Sequence, residues 1–110
     1  MEIHIPAATF NPEMGERFPI EILAQSGNQT RLRIFDREGR LVVSLWDSRA
    51  DGPVSAFPQY PTTINWDGRD ENFERVRAGL YYIHLSVVDL QTGNEAIKTA
   101  PVVVATRLSN

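Results

Sequence analysis

Apolar and polar residues alternate in short blocks along this chain, and Gly, Pro, Asn and Asp separate the blocks. The clearest block is Thr30 to Asp36, in which Leu32 and Ile34 alternate with Arg31 and Arg33. This spacing is typical of a strand with one face in a core and one in solvent. No segment carries apolar residues at helical spacing over about 11 positions, so we expect no long helix. The pattern predicts an all-β protein.

We predict about seven strands. Pro6 interrupts the first strand, which suits an edge strand or a linker over residues 1–9, and Pro101 marks a bulge or an edge in the last. We expect residues 1–110 to form a single domain, an immunoglobulin-like antiparallel two-sheet sandwich. The predicted strands are Glu2 to Thr9, Phe18 to Gln25, Thr30 to Asp36, Leu41 to Asp47, Thr62 to Asp67, Gly79 to Leu90 and Glu95 to Leu108.

Several connections between these strands have clear turn chemistry. Ser26 to Asn28 and Gln91 to Asn94 predict tight turns, whereas the Pro-rich stretch from Ser48 to Pro61 predicts an irregular surface loop. In the turn from Arg37 to Arg40, Gly39 can adopt the positive φ that short hairpins require. The turn residues that we single out are Gly39, Asp67, Gly68 and Gly79.

The inward-facing positions of the strands predict the core. In the fourth strand, the face with Leu41, Val43 and Leu45 is favoured as core over the face that carries Trp46, which we place at a rim or in a second contact. Trp66 would be a large apolar anchor between the sheets if its indole N–H finds an acceptor. The predicted core residues are Ile22, Leu32, Ile34, Val43, Leu45, Trp66, Tyr81, Ile83, Leu85 and Val87.

Composition narrows the classes of function. The chain has 110 residues, 42% of them hydrophobic, and a formal net charge of -3, with no cysteine. These values argue against disorder, against a basic face for nucleic acid, and against disulfides or cysteine-bound zinc. No run of about 18 apolar residues is present, so we predict no membrane span. The first residues lack the pattern of a signal peptide, and the sequence alone leaves the localisation unknown.

Candidate chemistry is sparse. Only His4 and His84 could serve as a histidine base, and no nucleophile elbow or phosphate-binding loop occurs, so we predict no enzyme activity and no cofactor. We predict no metal site, although one polar segment could supply oxygen ligands to calcium. Its alternative interpretation is a turn followed by a solvated acidic loop. The calcium candidates are Asp67, Asp70, Glu71 and Asn72.

Four aromatic residues could form an exposed patch: Trp46, Phe57, Tyr60 and Tyr82. Such a patch would mark a protein interface or a platform for carbohydrate. The alternative is that Phe57 and Tyr60 fix the long loop to the sandwich.

Four segments follow one another in the order FNPEMGE, LRIFDREGRLV, INWDGRDEN and VRAGLYYIHL. This succession resembles the immunoglobulin-like domain of flagellar hook-capping proteins. It is also similar to C-terminal modules of secreted bacterial proteins, including gliding-motility and sorting-type domains. The resemblance covers roughly Phe10 to Leu108. The matching positions are Asp36, Gly39 and Arg40, then Trp66, Asp67 and Gly68, then Ala78, Gly79 and Tyr81.

The resemblance implies a structural or interaction module of a bacterial multidomain or assembled extracellular protein. Its partners would be neighbouring domains or subunits, including copies of itself joined through sheet edges such as the segment Glu2 to Thr9. An extracellular or cell-surface position follows from the same resemblance. The segment Asn11 to Gly15 departs from the family's Asn-Gly-Asp-Gly cluster, which argues against a sorting role. The alternative function is a carbohydrate-binding accessory module.

Overall fold

The computed structural model describes residues 2–5, 9–12, 15–24, 29–57 and 59–105, and this part of the chain is built almost entirely of strands. The strands are β1 (Glu2–His4), β2 (Thr9–Phe10), β3 (Phe18–Leu23), β4 (Gln29–Asp36), β5 (Leu41–Asp47), β6 (Thr62–Trp66), β7 (Gly79–Val88) and β8 (Glu95–Val104). One short helix, α1 (Ser48–Asp51), follows β5. Among the described residues, no helix has the length and apolar composition needed to cross a membrane.

The strands form two sheets that face each other across one core. The smaller sheet has the order β1-β3-β6, and the larger has the order β2-β8-β7-β4-β5. The protein is therefore an all-β sandwich of the predicted immunoglobulin-like type. One pairing differs from the antiparallel prediction, because β2 runs parallel to β8.

The predicted first strand, Glu2 to Thr9, is divided between the two sheets. Its start forms β1 at an edge of the smaller sheet, paired with β3, and its end contributes Thr9 to β2 at an edge of the larger sheet. Pro6 cannot donate to a strand ladder, which is consistent with a break between the two pairings. Pro6 itself, the predicted turn Ser26 to Asn28 and the predicted strand end at Leu108 lie outside the described residues.

The core lies between the sheets and combines aliphatic residues with an aromatic cluster. Phe10 packs against Phe18 and Trp66 at ring-centroid distances of 5.3 and 5.5 Å, and Trp66 packs edge-on against Tyr81 at 5.8 Å. Of the residues predicted as core, those buried are Ile22, Leu32, Ile34, Trp66, Tyr81, Ile83, Leu85 and Val87. Further buried residues that the list of core residues did not contain are Phe10, Phe18, Ile20, Leu23, Ala24, Val54, Ile64, Val102 and Val104.

Strand β5 departs from the predicted alternation. Val43 and Leu45 are only half-buried and pack against the core, and Leu41 is exposed. Trp46 also packs against the core, which corresponds to the second contact and not to the rim. The pairing of β4 with β5 shifts register twice, between Leu32/Arg33 and between Ile34/Phe35. Each shift adds a residue to β5, so its inward positions no longer follow a period of two.

Two turns show why glycine is needed. Gly39 has φ 83° and follows Asp36, whose side chain accepts hydrogen bonds from the backbone N–H groups of Glu38 and Arg40. Gly68 has φ 80°, and a Cβ on it would lie only 2.6 Å from the Cβ of Pro12. Gly68 therefore serves both the backbone conformation and the close packing of two segments. Gly79, with φ 150°, begins β7.

Side-chain hydrogen bonds shape the connections after β5 and before β7. The loop from Ser48 to Pro61, predicted to be irregular throughout, begins with the single turn α1, because the side chain of Asp47 accepts a hydrogen bond from the N–H of Arg49. At the start of β7, the hydroxyl of Tyr81 donates to the carbonyl of Arg77 at 2.7 Å. This bond back to the preceding segment is the tyrosine corner of immunoglobulin-like sandwiches.

Candidate interaction surface

The outer face of the larger sheet is the side that points away from the core. Because side chains alternate along a strand, the neighbours of buried Ile34 and Ile83 point outward. The register places Phe35 opposite Tyr82 and Arg33 opposite His84 on this face. Antiparallel cross-strand partners have side chains close enough to interact, so these pairs form rows across the sheet.

One end of this face is apolar. Leu41, Phe35, Tyr82 and Pro101 pair in sequence from β5 to β8, and Leu80 pairs with Val103 beside them. Leu41 is 48% exposed, Tyr82 36% and Val103 41%. We call these residues the outer apolar patch: Phe35, Leu41, Leu80, Tyr82, Pro101 and Val103. A contiguous apolar patch of this kind on a soluble protein is typical of an interaction site.

The middle of the same face is basic. The guanidinium carbon of Arg33 lies 5.3 Å from the centroid of the Phe35 ring, and the Phe35 and His84 rings meet edge-on at 5.1 Å. The Arg31 Nε atom is 3.8 Å from the Asp47 carboxylate. Burial, and then the positive charge of Arg33, lower the pKa of His84 below its usual value, while Glu95 acts in the opposite direction.

The four aromatic residues predicted as a patch do not lie together. Trp46 pairs with the buried Leu32, so it faces inward, and its indole N–H donates to the Gly52 carbonyl at 3.1 Å. Tyr82 faces outward from the same sheet, whereas Phe57 and Tyr60 are 63% and 73% exposed in the long loop. A carbohydrate platform needs aromatic rings on one surface, and these four residues do not supply one.

The segment that contains the calcium candidates is engaged in its own turns. The Asp67 carboxylate accepts from the N–H of Arg69 at 3.1 Å, and the Asp70 carboxylate accepts from Asn72 and Glu74 at 2.8 and 3.1 Å. Glu71 and Asn72 are exposed. In the part of the chain described here, no group of three His, Cys, Asp or Glu side chains could hold a metal ion. The geometry matches the turn that the sequence left as the alternative.

An open cleft of about 660 Å³ lies beside this segment, between it and the β4–β5 turn. Its polar lining includes Asp36 and Arg40, which pair with each other at 3.0 Å. The backbone N–H of Arg40 in particular lowers the pKa of Asp36, and the same pairing raises the pKa of Arg40. This carboxylate and this guanidinium therefore stabilise the turn.

The outer apolar patch was not predicted from the sequence. Leu41 was predicted on an inward face, and Tyr82 was grouped with distant aromatic residues. The available signal was the apolar residues at outward positions of three strands, namely Phe35, Tyr82 and Val103. These positions become one surface only when the pairing register is known.

The fold and this surface define the class: a β-sandwich module whose larger sheet has an open, partly apolar outer face. No family model matches the chain, and no curated protein matches it. Two solved structures from Porphyromonas gingivalis share the fold. PorZ, an essential bacterial surface component of the type-IX secretion system, is 21% identical over 94% of this chain and 11% of that chain, with a TM-score of 0.56.

The second structure, dimeric latent PorU, is 20% identical over 96% of this chain and 9% of that chain, with a TM-score of 0.67. At this level of identity the likeness shows a shared fold. The chain spans about a tenth of the length of each of these two proteins, which corresponds to one of their segments.

Proposed function

We propose that this chain is a non-catalytic interaction module that docks onto a neighbouring protein domain or subunit through the outer face of its larger sheet. The observation that carries the proposal is the outer apolar patch, a set of cross-strand neighbours that the core does not use. Leu41, Tyr82 and Val103 keep between 36% and 48% of their surface exposed. Docking would remove this apolar surface from water, which favours association.

The setting that we propose is a larger bacterial protein or assembly outside the cell. Both structural neighbours contain this fold as about a tenth of a longer chain, and PorZ is described as a surface component. The ordered segments that resemble hook-capping and C-terminal secretion domains support the same setting. Within it, the chain would act as a cap, spacer, attachment domain or assembly subunit.

The non-catalytic part of the proposal rests on how the described polar groups are used. Asp36, Asp67 and Asp70 accept backbone hydrogen bonds in turns, and His4 pairs with Glu2 on the exposed strand β1. A base needs a nucleophile or a substrate proton within hydrogen-bond reach. The side chains engaged in turns stabilise the fold.

Site-specific photo-crosslinking tests the docking face. A benzophenone amino acid replaces Tyr82 on the outer face, or Asn65 on the outward side of β6 in the smaller sheet as the matched control. In cells that make the natural protein, we expect position 82 to yield a discrete crosslinked species and position 65 to yield none. Equal yields from both positions, or none from position 82, would contradict the proposal.

A further inference from the structure

Arg33 differs from Arg31, the other arginine of the outer face. Arg31 has the Asp47 carboxylate 3.8 Å away, whereas Arg33 has no ion-pair partner among the described residues. The Nε atoms of both arginines are buried and lack a hydrogen-bond partner. Since the whole chain has a net charge of -3, an uncompensated arginine at the centre of an open face is notable.

The surroundings of Arg33 hold its guanidinium against the apolar patch. Its carbon lies 5.3 Å from the Phe35 ring, and Phe35 also contacts His84 and pairs with Tyr82. Stacking on an aromatic ring reduces the entropy that the side chain loses on binding, and it leaves the planar N–H donors available. Arg and Tyr side chains in such a setting are typical of the residues that dominate binding energy in interfaces.

A carboxylate is the group that matches these donors. Two parallel N–H donors of a guanidinium can bind both oxygens of one carboxylate, and the exclusion of water on docking would strengthen that pair. The other charged groups of the face are Arg31, Asp47 and Glu95, with His84 next to Arg33. Asp47 is near Arg31, and Glu95, at the start of β8, forms no ion pair with Arg33, so the guanidinium donors of Arg33 are left for a partner.

We infer that the protein partner on this face presents an acidic side chain flanked by apolar side chains, with the carboxylate bound by Arg33 and the apolar groups on the outer apolar patch. The inference rests on the proposed docking function and adds the chemistry of the partner. Arg33 would form the subsite for the carboxylate, and Tyr82 would belong to the adjacent apolar subsite.

Peptide titrations followed by backbone amide NMR shifts test this inference on the intact chain. The probes are two end-blocked tripeptides, Leu-Glu-Phe and Leu-Gln-Phe, which differ only in the side-chain carboxylate. A third peptide, Leu-Gln-Phe with a free C-terminus, separates a terminal carboxylate from a side-chain one. We expect the Glu peptide to bind about fivefold more tightly than either Gln peptide, with the largest shifts at Arg33, Phe35 and Tyr82.

Two variants make the outcome specific. R33Q should remove the preference for the Glu peptide, whereas R37Q, a matched change in the exposed β4–β5 turn, should retain it. Equal affinity of the Glu and Gln peptides for the outer face would overturn the carboxylate inference and leave apolar docking intact. The inference would also fail if the free C-terminus bound best, or if a DNA decamer displaced the Glu peptide. If no peptide shifts the face, both the inference and the proposed docking surface fail.

Discussion

The two faces of the larger sheet are built from the same strands but differ in how their apolar residues are used. On the inner face, Ile34, Ile83 and Leu85 have no exposed surface and pack against the smaller sheet. On the outer face, Phe35, Tyr82 and Val103 form rows that no described element covers. The same type of side chain therefore has a folding role on one face and is left available on the other.

Folding accounts for the apolar residues of the inner face but not for those of the outer face. Burial of the inner face stabilises the sandwich, at roughly 25 cal/mol per Å² of apolar surface removed from water. The outer apolar patch contributes less of this, because Leu41, Tyr82 and Val103 keep 36% to 48% of their surface exposed. The proposed partner would account for its presence, and substitutions in each region test this difference between the two faces.

The largest effect is expected from Trp66→Ala. Trp66 is 1% exposed, and its indole N–H donates to the Arg69 carbonyl at 3.0 Å, so the change removes both core packing and a buried hydrogen bond. We expect the free energy of unfolding to fall by about 3–5 kcal/mol. Urea denaturation followed by far-UV circular dichroism measures this. A loss below about 1 kcal/mol would remove Trp66 from the central role given to it here.

A smaller loss is expected from Gly68→Ala, because the new Cβ would approach Pro12 to 2.6 Å and the residue has φ 80°. Strain and steric overlap together should cost about 2–3 kcal/mol. Gly93→Ala is the matched control, since Gly93 has φ 77° and open space around it. The control isolates the backbone cost, about 1 kcal/mol. Equal losses in the two variants would show that the contact with Pro12 is unimportant.

A still smaller effect concerns pH. Burial and Arg33 lower the pKa of His84 in the folded state, so the unfolded chain binds the proton more readily. Stability should therefore fall as the pH drops below the ordinary histidine value of 6.5 and through the lowered pKa. H84Q should show a flatter dependence than the wild type between pH 7 and the lowered value, measured by urea denaturation at each pH. If the pH dependence of stability were the same in H84Q and the wild type, His84 would not be its cause.

The smallest effect on stability is expected on the outer face. Tyr82→Ser combined with Val103→Thr removes exposed apolar surface without opening a cavity, so the free energy of unfolding should change by only about 0.5–1 kcal/mol. The matched inner change, Ile83→Ala on the same strand, should cost about 2–5 kcal/mol. If the outer double variant lost as much stability as Ile83→Ala, the outer face would contribute to folding as strongly as the inner face.

Much of the fold was accessible from the sequence because β4 and β7 alternate regularly. Their predicted starts, Thr30 and Gly79, lie within one residue of the observed ones. Strand β5 was predicted with correct ends, but Leu41 is exposed and Trp46 packs against the core, since the two bulges of this strand depend on its pairing with β4. The division of the first strand between sheets also depends on partners that lie far away in sequence.

The candidate site was harder to predict from the sequence, because it too depends on strand pairing. Arg33 and His84 are 51 positions apart in the chain but are direct cross-strand partners. No local pattern marks Phe35, Leu41 and Val103 as neighbours, because a single-residue slip in register would place them on other faces. By contrast, Gly39 and Gly68 could be identified from the sequence, because the positive φ of a turn residue is a local requirement.

Oxidative footprinting of the natural assembly tests whether the outer face of the larger sheet is covered by a partner. Side-chain labelling is compared between the isolated chain and the protein in its native complex, with Phe57, 63% exposed in the long loop, as the internal reference. We expect Tyr82, Leu41 and Val103 to lose most of their labelling in the complex, while the labelling of Phe57 stays unchanged. Unchanged labelling of all three outer residues in the complex would contradict this expectation.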